Sequence, residues 1–559
     1  MKRCPECRRD YHDDSLMYCL EDGTPLVQGS VPSPDEPQTA ILSGSLHDAP
    51  TRAQIGTTGE IVTGTGAKRK VVVAAIVLFI AFAISGFAAW RYSRASGDTK
   101  VGSIAVLPFE NRSGNADAEY LSDGLTDSLI FRFAQLPDLK VSPTSSVMRY
   151  KGDSKDVADI AKELDVDAVL SGRLTQMGDA LTISVQLIDV RTKKLLWAEQ
   201  YDRKMADLLA TQREIATTIT QKLQLRLTGN ETGIAKKYTS SNEAYQLYLK
   251  GRFHWAKRKK EDMLAAVDAF KQAIALDPNF ALAYVGMAEA YNSMGKNPDV
   301  PPREAIPLGK AAALKAIELD PNLAEAHSAL ADCLAIGDWN WTESEKEFHK
   351  AIDLDPNVGY IHVAYSGSYL TAVGRTDEAV AETARSVELE PVALINNALH
   401  VASLINARRY DDALVQARKA YELDREFPLS RHWLGMALAA DGKFDEAIAL
   451  GREVPDGSPV KPIGLFVEGY AEARAGRRSD AEVTIGRMRD LANTVYIRPY
   501  YLAAIYAAIG DNDHAFAELE RSFQERDCYL PRMRVDPTLD PIRADPRFSD
   551  LLKRMNIAS

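Results

Sequence analysis

Cysteine is scarce, with five in 559 residues, which excludes the disulfide framework of a small secreted domain. Three of the five, Cys4, Cys7 and Cys19, crowd the first twenty residues, while Cys333 and Cys528 lie far apart in stretches of helical periodicity. Free buried thiols are the expected state of that last pair. Basic residues are outnumbered, 67 Lys and Arg against 78 Asp and Glu, for a net charge of −11. An acid excess repels phosphate backbones and argues against a general nucleic-acid binder. The nine histidines are scattered, with no pair spaced like metal ligands on one helix face. The sequence also has no His-Glu-x-x-His, no Gly-x-Ser-x-Gly, no phosphate-binding loop and no dinucleotide fingerprint. Together these absences point away from an enzyme.

One stretch has no charge at all. Val71 to Trp90 reads VVVAAIVLFIAFAISGFAAW, and about twenty apolar residues is what a helix needs to cross a bilayer core. Lys68, Arg69 and Lys70 close one end, Arg91 and Arg94 the other, with Trp90 and Tyr92 where amphipathic rings favour the interface. The sequence therefore predicts a transmembrane helix with basic flanks over 68–94, too deep in the chain to be a cleaved signal peptide. The thiol cluster ahead of it and a slightly larger basic count on that side place the N-terminus in the cytoplasm, because thiolates hold metal where they stay reduced. The expected location is the inner (plasma) membrane, single-pass, with the C-terminal region extracytoplasmic (periplasmic).

Ahead of the span, residues 4–22 read CPECRRDYHDDSLMYCLED, followed by Gly23. Cys-x-x-Cys, then Cys-x-x-Asp, resembles a zinc ribbon over 1–28, with Cys4, Cys7, Cys19 and Asp22 as ligands of one structural zinc. Asp22 stands where the pattern expects cysteine; a carboxylate oxygen also ligates zinc, and His12 is the rival fourth ligand. A segment this short has no apolar core of its own, so metal would supply its folding energy. From 29 to 67 hydrophobic periodicity is lost among Pro, Ser, Thr and Gly, as in VPSPDEPQTA, which reads as a disordered linker.

Beyond the span, 100–228 has mixed strand and helix patterns. Ser103 to Phe109 suits a buried strand and Tyr120 to Leu136 has helical spacing. Ala168 to Leu174 and Leu181 to Leu187 are strands joined across Gly178-Asp179, and in the second Leu181, Ile183, Val185 and Leu187 alternate with polar residues. Leu195 to Tyr201 follows as a third strand, and a helix carrying Ile215, Ile219 and Leu223 closes the unit. The stretches IAVLPFENRSGNADAEYLSDGLTDSLI and VDAVLSGRLTQMGDALTISVQLIDVRTKKLLWAEQYDR resemble the TolB amino-terminal-like domain, related in fold to FlgO and CsgG type envelope proteins of bacteria. That resemblance implies an α/β unit used for contacts in the bacterial envelope, and no catalysis.

From 242 to 559 the chain repeats itself. Leu-Asp-Pro-Asn occurs at Leu276, Leu319 and Leu354 and Leu-Glu-Pro returns at Leu389, so prolines fall at 278, 321, 356 and 391. Two of these gaps are close to the ~34-residue period of tetratricopeptide repeats, pairs of antiparallel helices. Ala266, Phe270 and Ala273 hold the small-large-small places of one second helix, and Leu539 to Met555 reads as a terminal cap after seven to eight repeats. Such arrays bind proteins along a groove lined by first helices, and counting from Ala281 puts Glu289, Asn292, Asp332, Asn406 and His432 on that face. Trp339 and Trp341 are either an exposed anchor or a pair packed over helix ends.

The fold class expected is thus multidomain: a small zinc ribbon, a single transmembrane helix, an α/β TolB-like domain and an all-α tetratricopeptide solenoid. The expected function is a non-enzymatic single-pass membrane scaffold whose TolB-like and repeat regions bind protein partners. The membrane would be engaged through Val71 to Trp90, and nucleic acid is disfavoured as a partner. The alternative is a transmembrane signalling or transcription regulator whose zinc ribbon contacts nucleic acid or a signalling enzyme.

Overall fold

The computed structural model describes residues 2–3, 10–11, 27–28 and 101–557, the last with short breaks at 115–117, 137–138, 154, 224–237, 258–259 and 297–301. The chain forms two compact units, Met1–Gly97 and Asp98–Ser559. In the first, three two-residue strands make an antiparallel sheet in which Lys2 pairs with Tyr11 on one side and Gln28 on the other. The zinc-ligand candidates Cys4, Cys7, Cys19, Asp22 and His12 lie outside the described residues, as does the apolar stretch Val71 to Trp90.

One expectation is corrected here. Among the described residues no helix is long and apolar enough to cross a membrane, so the placement as a single-pass inner-membrane protein with a periplasmic C-terminal region is not carried forward. The physical reason is visible in the most apolar helix, Pro499–Ala508, which has ten residues where a span takes about twenty.

The second unit opens with a six-stranded mixed sheet. Its strands are β1 (Ser103–Val106), β2 (Glu110–Asn111), β3 (Lys140–Val141), β4 (Ala168–Met177), β5 (Ala180–Asp189) and β6 (Lys194–Lys204). They run in the order β3-β1-β4-β5-β6 with β2 beside β4. β1, β2 and β3 pair parallel to their neighbours, and β4, β5 and β6 form an antiparallel meander. The meander is dictated locally. Gly178 takes φ +60° in the two-residue turn, a conformation glycine adopts without a Cβ penalty. On β5, Leu181, Ile183, Val185 and Leu187 are buried while the residues between them are not, the period of two that a half-covered sheet imposes.

Among the described residues four α-helices complete the α/β part: α1 (Glu119–Ala134), α2 (Thr144–Val147), α3 (Val157–Leu164) and α4 (Leu208–Lys222). α1 is sandwiched between the sheet and the first repeat. Its Leu121, Leu125, Leu129 and Phe133 are fully buried, and Gly124 lets the neighbouring helix come close: a Cβ there would stand 2.8 Å from that of Leu249.

Eight helix pairs follow among the described residues. Their first and second helices are Asn242–Ala256 with Lys260–Leu276, Ala281–Lys296 with Pro302–Leu319, Ala324–Cys333 with Trp341–Leu354, and Gly359–Ala364 with Thr376–Leu389. Then come Leu394–Asn406 with Tyr410–Leu423, Pro428–Ala440 with Phe444–Arg452, Lys461–Arg474 with Arg478–Leu491, and Pro499–Ala508 with Asn512–Glu525. The first helices of repeats 3 and 4 run on as π-helix over Leu334–Asp338 and Tyr365–Leu370. The repeat signature has a local cause. Asp277, Asp320 and Asp355 each accept the backbone N–H two residues on, at 3.1, 3.4 and 3.0 Å, while the proline between cannot continue the helix. Phe270 and Ala273 are fully buried, and Phe270 fits because Gly251 and Gly286 flank its ring: a Cβ at either would lie 2.5 Å from it.

After the last pair come two 3-10 turns, Leu530–Arg534 and Pro537–Ile542, and a short helix, Pro546–Arg554. The apolar core of the α/β unit continues without a break into repeats 1 to 3. A second core runs from repeat 3 to Ile557.

Candidate protein-binding groove

The first helices of the array are covered by other parts of the chain. At the amino-terminal end the α/β unit does this through the shared apolar core and through polar contacts. Arg252, on the first helix of repeat 1, donates to Asp127 of α1 at 3.1 Å and to Glu289 of repeat 2 at 2.7 Å. Burial alone would lower the basicity of this guanidinium, and the two carboxylates outweigh it and raise it. Thr144 of α2 donates to the same Asp127 at 2.6 Å. Beside this group Tyr245 bridges Ser128 of α1 and Gln212 of α4, at 2.5 Å to each. Further along, Ser145 of α2 donates to Glu390 at 2.9 Å.

At the carboxy-terminal end the segment after the last pair lies against repeats 3 to 8. Tyr529 packs its ring edge-on to Tyr501 at 5.8 Å, and Arg532 lies 4.8 Å over the ring of Trp433. Arg534 fills the space above Gly374, where a Cβ would stand 2.7 Å from its Nε. Asp540 pairs with Arg408 at 2.9 Å, and the indole of Trp341 donates to the Met555 carbonyl at 2.8 Å. Leu530, Met533, Leu539 and Met555 of this segment are fully buried. The end of the array also reaches its beginning: Arg498 pairs with Asp527 and donates to the Lys296 carbonyl, both at 2.5 Å. Trp339 and Trp341 are therefore buried, the first with Arg526 stacked 3.6 Å over its ring.

The five groove positions read from the sequence fall inside these contacts. Glu289 is held by Arg252. Asn292 donates to the Ala329 carbonyl and accepts from Cys333 Sγ at 2.8 Å. Asp332 takes Lys296 and Ser368, both at 2.6 Å, and Asn292 Nδ2 lies 3.5 Å from it, so these two residues are brought together. Asn406 and His432 sit farther along the array, each buried. His432 is enclosed by the rings of Trp433, Phe466 and Tyr501. Burial first, then the charges of Arg532 and Arg498, push its pKa down to about 3. In this conformation all but Glu289 are fully buried, and Glu289 is tied into the joint with the α/β unit. Among the described residues no group of three or more His, Cys, Asp or Glu is placed to hold a metal ion.

Sequence reading missed Asp127, Arg252, Tyr245 and Ser145, whose partners are remote in the chain. One signal was visible: Glu390 breaks the Leu-Asp-Pro pattern of the other turns.

A family model described as HilA/YgeH-like transcriptional regulator, second domain, matches residues 99–218, the α/β unit as far as α4. The description differs from the TolB-type resemblance carried by the same stretch. A putative adenylate cyclase 3 of Rhizobium meliloti (strain 1021) is 33% identical over 187 residues, covering 33% of this chain and 32% of the relative. The chain thus matches about a third of that relative's length. Transcriptional regulator HilA of Salmonella typhimurium (strain LT2) is 23% identical over 457 residues, 79% of this chain and 78% of the relative. Among solved structures, a human IFIT1 dimer with PPP-AAAA covers 56% of this chain and 78% of its own, at 13% identity and a TM-score of 0.40.

Proposed function

We propose that the chain is a non-enzymatic protein-binding module of a regulatory protein, in which the α/β unit and the helical repeats act as one body. The observation that carries this reading is that the array already holds polypeptide: its first helices grip the chain's own C-terminal segment through apolar burial, cation-π stacking and a few charged pairs. That is the mixture of a packed apolar centre with aromatic and arginine anchors found where proteins recognise proteins. A partner then meets the surface left open, which includes the outer second helices where Val415 is 73% and Val483 64% exposed.

The regulatory half of the reading draws support from the HilA likeness, which extends over both the α/β unit and most of the array. The adenylate cyclase likeness covers a third of each chain, too little to bring a reaction with it. The zinc reading belongs to the same proposal, with Cys4, Cys7, Cys19 and Asp22 holding one structural ion. Elemental analysis of the full chain should find one zinc per chain, lost in Cys7→Ser, and Asp22→Ala compared with His12→Ala identifies the fourth ligand.

The test of the main reading is photo-crosslinking in cells from a probe placed at Val415 or Val483 in the full chain. A discrete protein adduct at these positions, absent from a probe on the exposed tip residue Met177, is the expected result. Nucleotide cyclisation by the purified chain overturns the non-enzymatic reading. Nucleic-acid binding that falls ~10-fold or more between 50 and 200 mM salt replaces it with direct phosphate contact.

A further inference from the structure

In repeats 3 to 6 one side chain of the first helix reaches back to the turn before it. In repeat 3 this is His327, whose Nε2 lies 3.0 Å from the Pro321 carbonyl and whose Nδ1 lies 2.5 Å from Glu347 on the second helix of the same repeat. His362 of repeat 4 stands in the same way, 2.9 Å from the Pro356 carbonyl and 2.6 Å from Glu382. Repeat 5 has Asn397 there: its Nδ2 donates to the Pro391 carbonyl at 2.9 Å, and its Oδ1 accepts from Gln416 Nε2 at 2.8 Å. Repeat 6 has Arg431, which donates to the Arg425 carbonyl at 3.5 Å and, at 3.2 Å, to Glu453 at the end of the second helix. The carbonyl is six residues earlier in all four.

The second partner changes with the residue at the centre. Arg431, a permanent cation with donors only, faces a carboxylate; Asn397, with one donating and one accepting end, faces an amide that donates. Both histidines face carboxylates, as the arginine does. Both rings are buried. A carbonyl oxygen and an ionised carboxylate only accept, so satisfying both contacts takes an N–H on each ring nitrogen, and only the imidazolium has two. A neutral ring turns one bare nitrogen toward an acceptor and loses that contact.

We propose that His362 is a proton-operated clamp of repeat 4: charged, it ties the turn from repeat 3 to the second helix of repeat 4, and neutral, it lets go of one of them. The charged groups around the ring are Glu382 and Arg385 on that second helix, Asp355 in the turn from repeat 3 and Glu390 in the turn to repeat 5. Carboxylates outnumber the one guanidinium, a setting that favours the cation. In agreement, the His362 pKa is raised: burial lowers it, and the bonds to Glu382 and to the Pro356 carbonyl, with the Glu382 charge, outweigh burial and Arg385.

The sign follows. Folding raises this group above its ordinary 6.5, so the clamped state binds the extra proton. Its hold is complete below 6.5 and is lost as pH rises through the raised value.

The inference goes beyond partner binding and requires no partner to test. In the full chain, hydrogen exchange over residues 378–386, around Glu382, is followed from pH 5.5 to 8.5 and referred to the intrinsic rate at each pH. Protection in the wild type should fall toward high pH by up to ~10-fold per unit, the limit for one proton. The paired variant His362→Asn, Glu382→Gln copies the Asn397–Gln416 pair that the array already carries in repeat 5, and should keep the acid-pH protection throughout. His362→Asn alone sets an amide oxygen against the Glu382 carboxylate and should lose protection at every pH. Glu390→Gln should leave the slope in place, since the Glu390 carboxyl is bonded to Ser145 and not to the ring. A wild-type profile flat in pH overturns the clamp, and so does a slope that survives in the paired variant or vanishes in Glu390→Gln.

Discussion

Both ends of the helical array are closed by the chain itself over apolar cores, and they differ in the polar contacts laid across them. At the amino-terminal end α1, α2 and α4 meet the repeats through the Asp127–Arg252–Glu289 chain, the Ser128–Tyr245–Gln212 triangle and the Ser145–Glu390 contact. At the carboxy-terminal end the closure is chiefly apolar, with Leu530, Met533, Leu539, Ile542 and Met555 buried on the repeats. Apolar burial is non-directional and grows with area. Hydrogen-bonded and ionic contacts contribute little net stability when satisfied, and cost several-fold more when one partner is removed. The first closure is therefore the more sensitive to single atoms, and the second the more permanent.

The comparison breaks most visibly if the permanent end is removed. Ending the chain at residue 526 strips away five fully buried large side chains, each worth about 1.5–3 kcal/mol, a total comparable with the whole stability of a domain. Repeats 6 to 8 should then be protease-sensitive and lose helical circular dichroism, while the α/β unit, with its separate core, stays protected. Uniform survival of the truncated array would show that the segment only decorates it.

At the polar end a single side chain should matter. Arg252→Leu keeps the bulk but removes the guanidinium shared by Asp127 and Glu289, 17% and 12% exposed. Breaking a buried pair in this way costs ~3–5 kcal/mol, read as a fall in urea midpoint. The triple variant Arg252→Leu, Asp127→Leu, Glu289→Leu should recover most of it. The sequence places Glu289 on the groove face; the structure ties it to Arg252 there.

The legibility of the fold divides along the same line. The meander was readable because Gly178-Asp179 and the alternation on β5 are local signals. The repeats were readable because Asp277, Asp320 and Asp355 do the same capping work in a recurring Leu-Asp-Pro-Asn turn. The filling of the groove was not. Trp341 meets Met555 across 214 residues and Arg252 meets Asp127 across 125, and no period or motif marks such pairs. The groove positions counted from Ala281 fell on first helices, but a helix face says nothing about what covers it. Glu390 lies between these cases: its departure from the pattern was printed in the chain, and its partner was not.

Acid should separate the two ends by sign. His432, in the C-terminal core, is pushed down to about 3, and His400 to about 4, chiefly by burial. Both bind protons near 6.5 when unfolded and resist them when folded. Their region therefore keeps its full stability above pH 6.5 and loses it as pH falls toward 3–4. The Glu390 joint moves the other way, gaining as pH falls through about 7. Exchange measured region by region between pH 4.5 and 8 should show crossed slopes, and His432→Leu should flatten the C-terminal one. Parallel slopes would mean that one global opening governs both ends.

The smallest effect isolates the turn itself. Asp424 accepts the Glu426 N–H at 2.8 Å on the exposed rim of repeat 5 and touches nothing beyond its own turn in that bond. Asp424→Ala should cost only what a net hydrogen bond is worth, ~0.5–1.5 kcal/mol, and the loss should be confined to the junction of repeats 5 and 6, since each repeat feels its neighbours first. Glu390→Ala removes a residue from the matching place in repeat 4 and should be felt instead on α2, through Ser145. Exchange maps of the two variants decide the matter. If both perturb only their own turns, Glu390 is one more cap; if Glu390→Ala alone reaches the α/β unit, one added methylene has turned a repeat cap into a contact with α2.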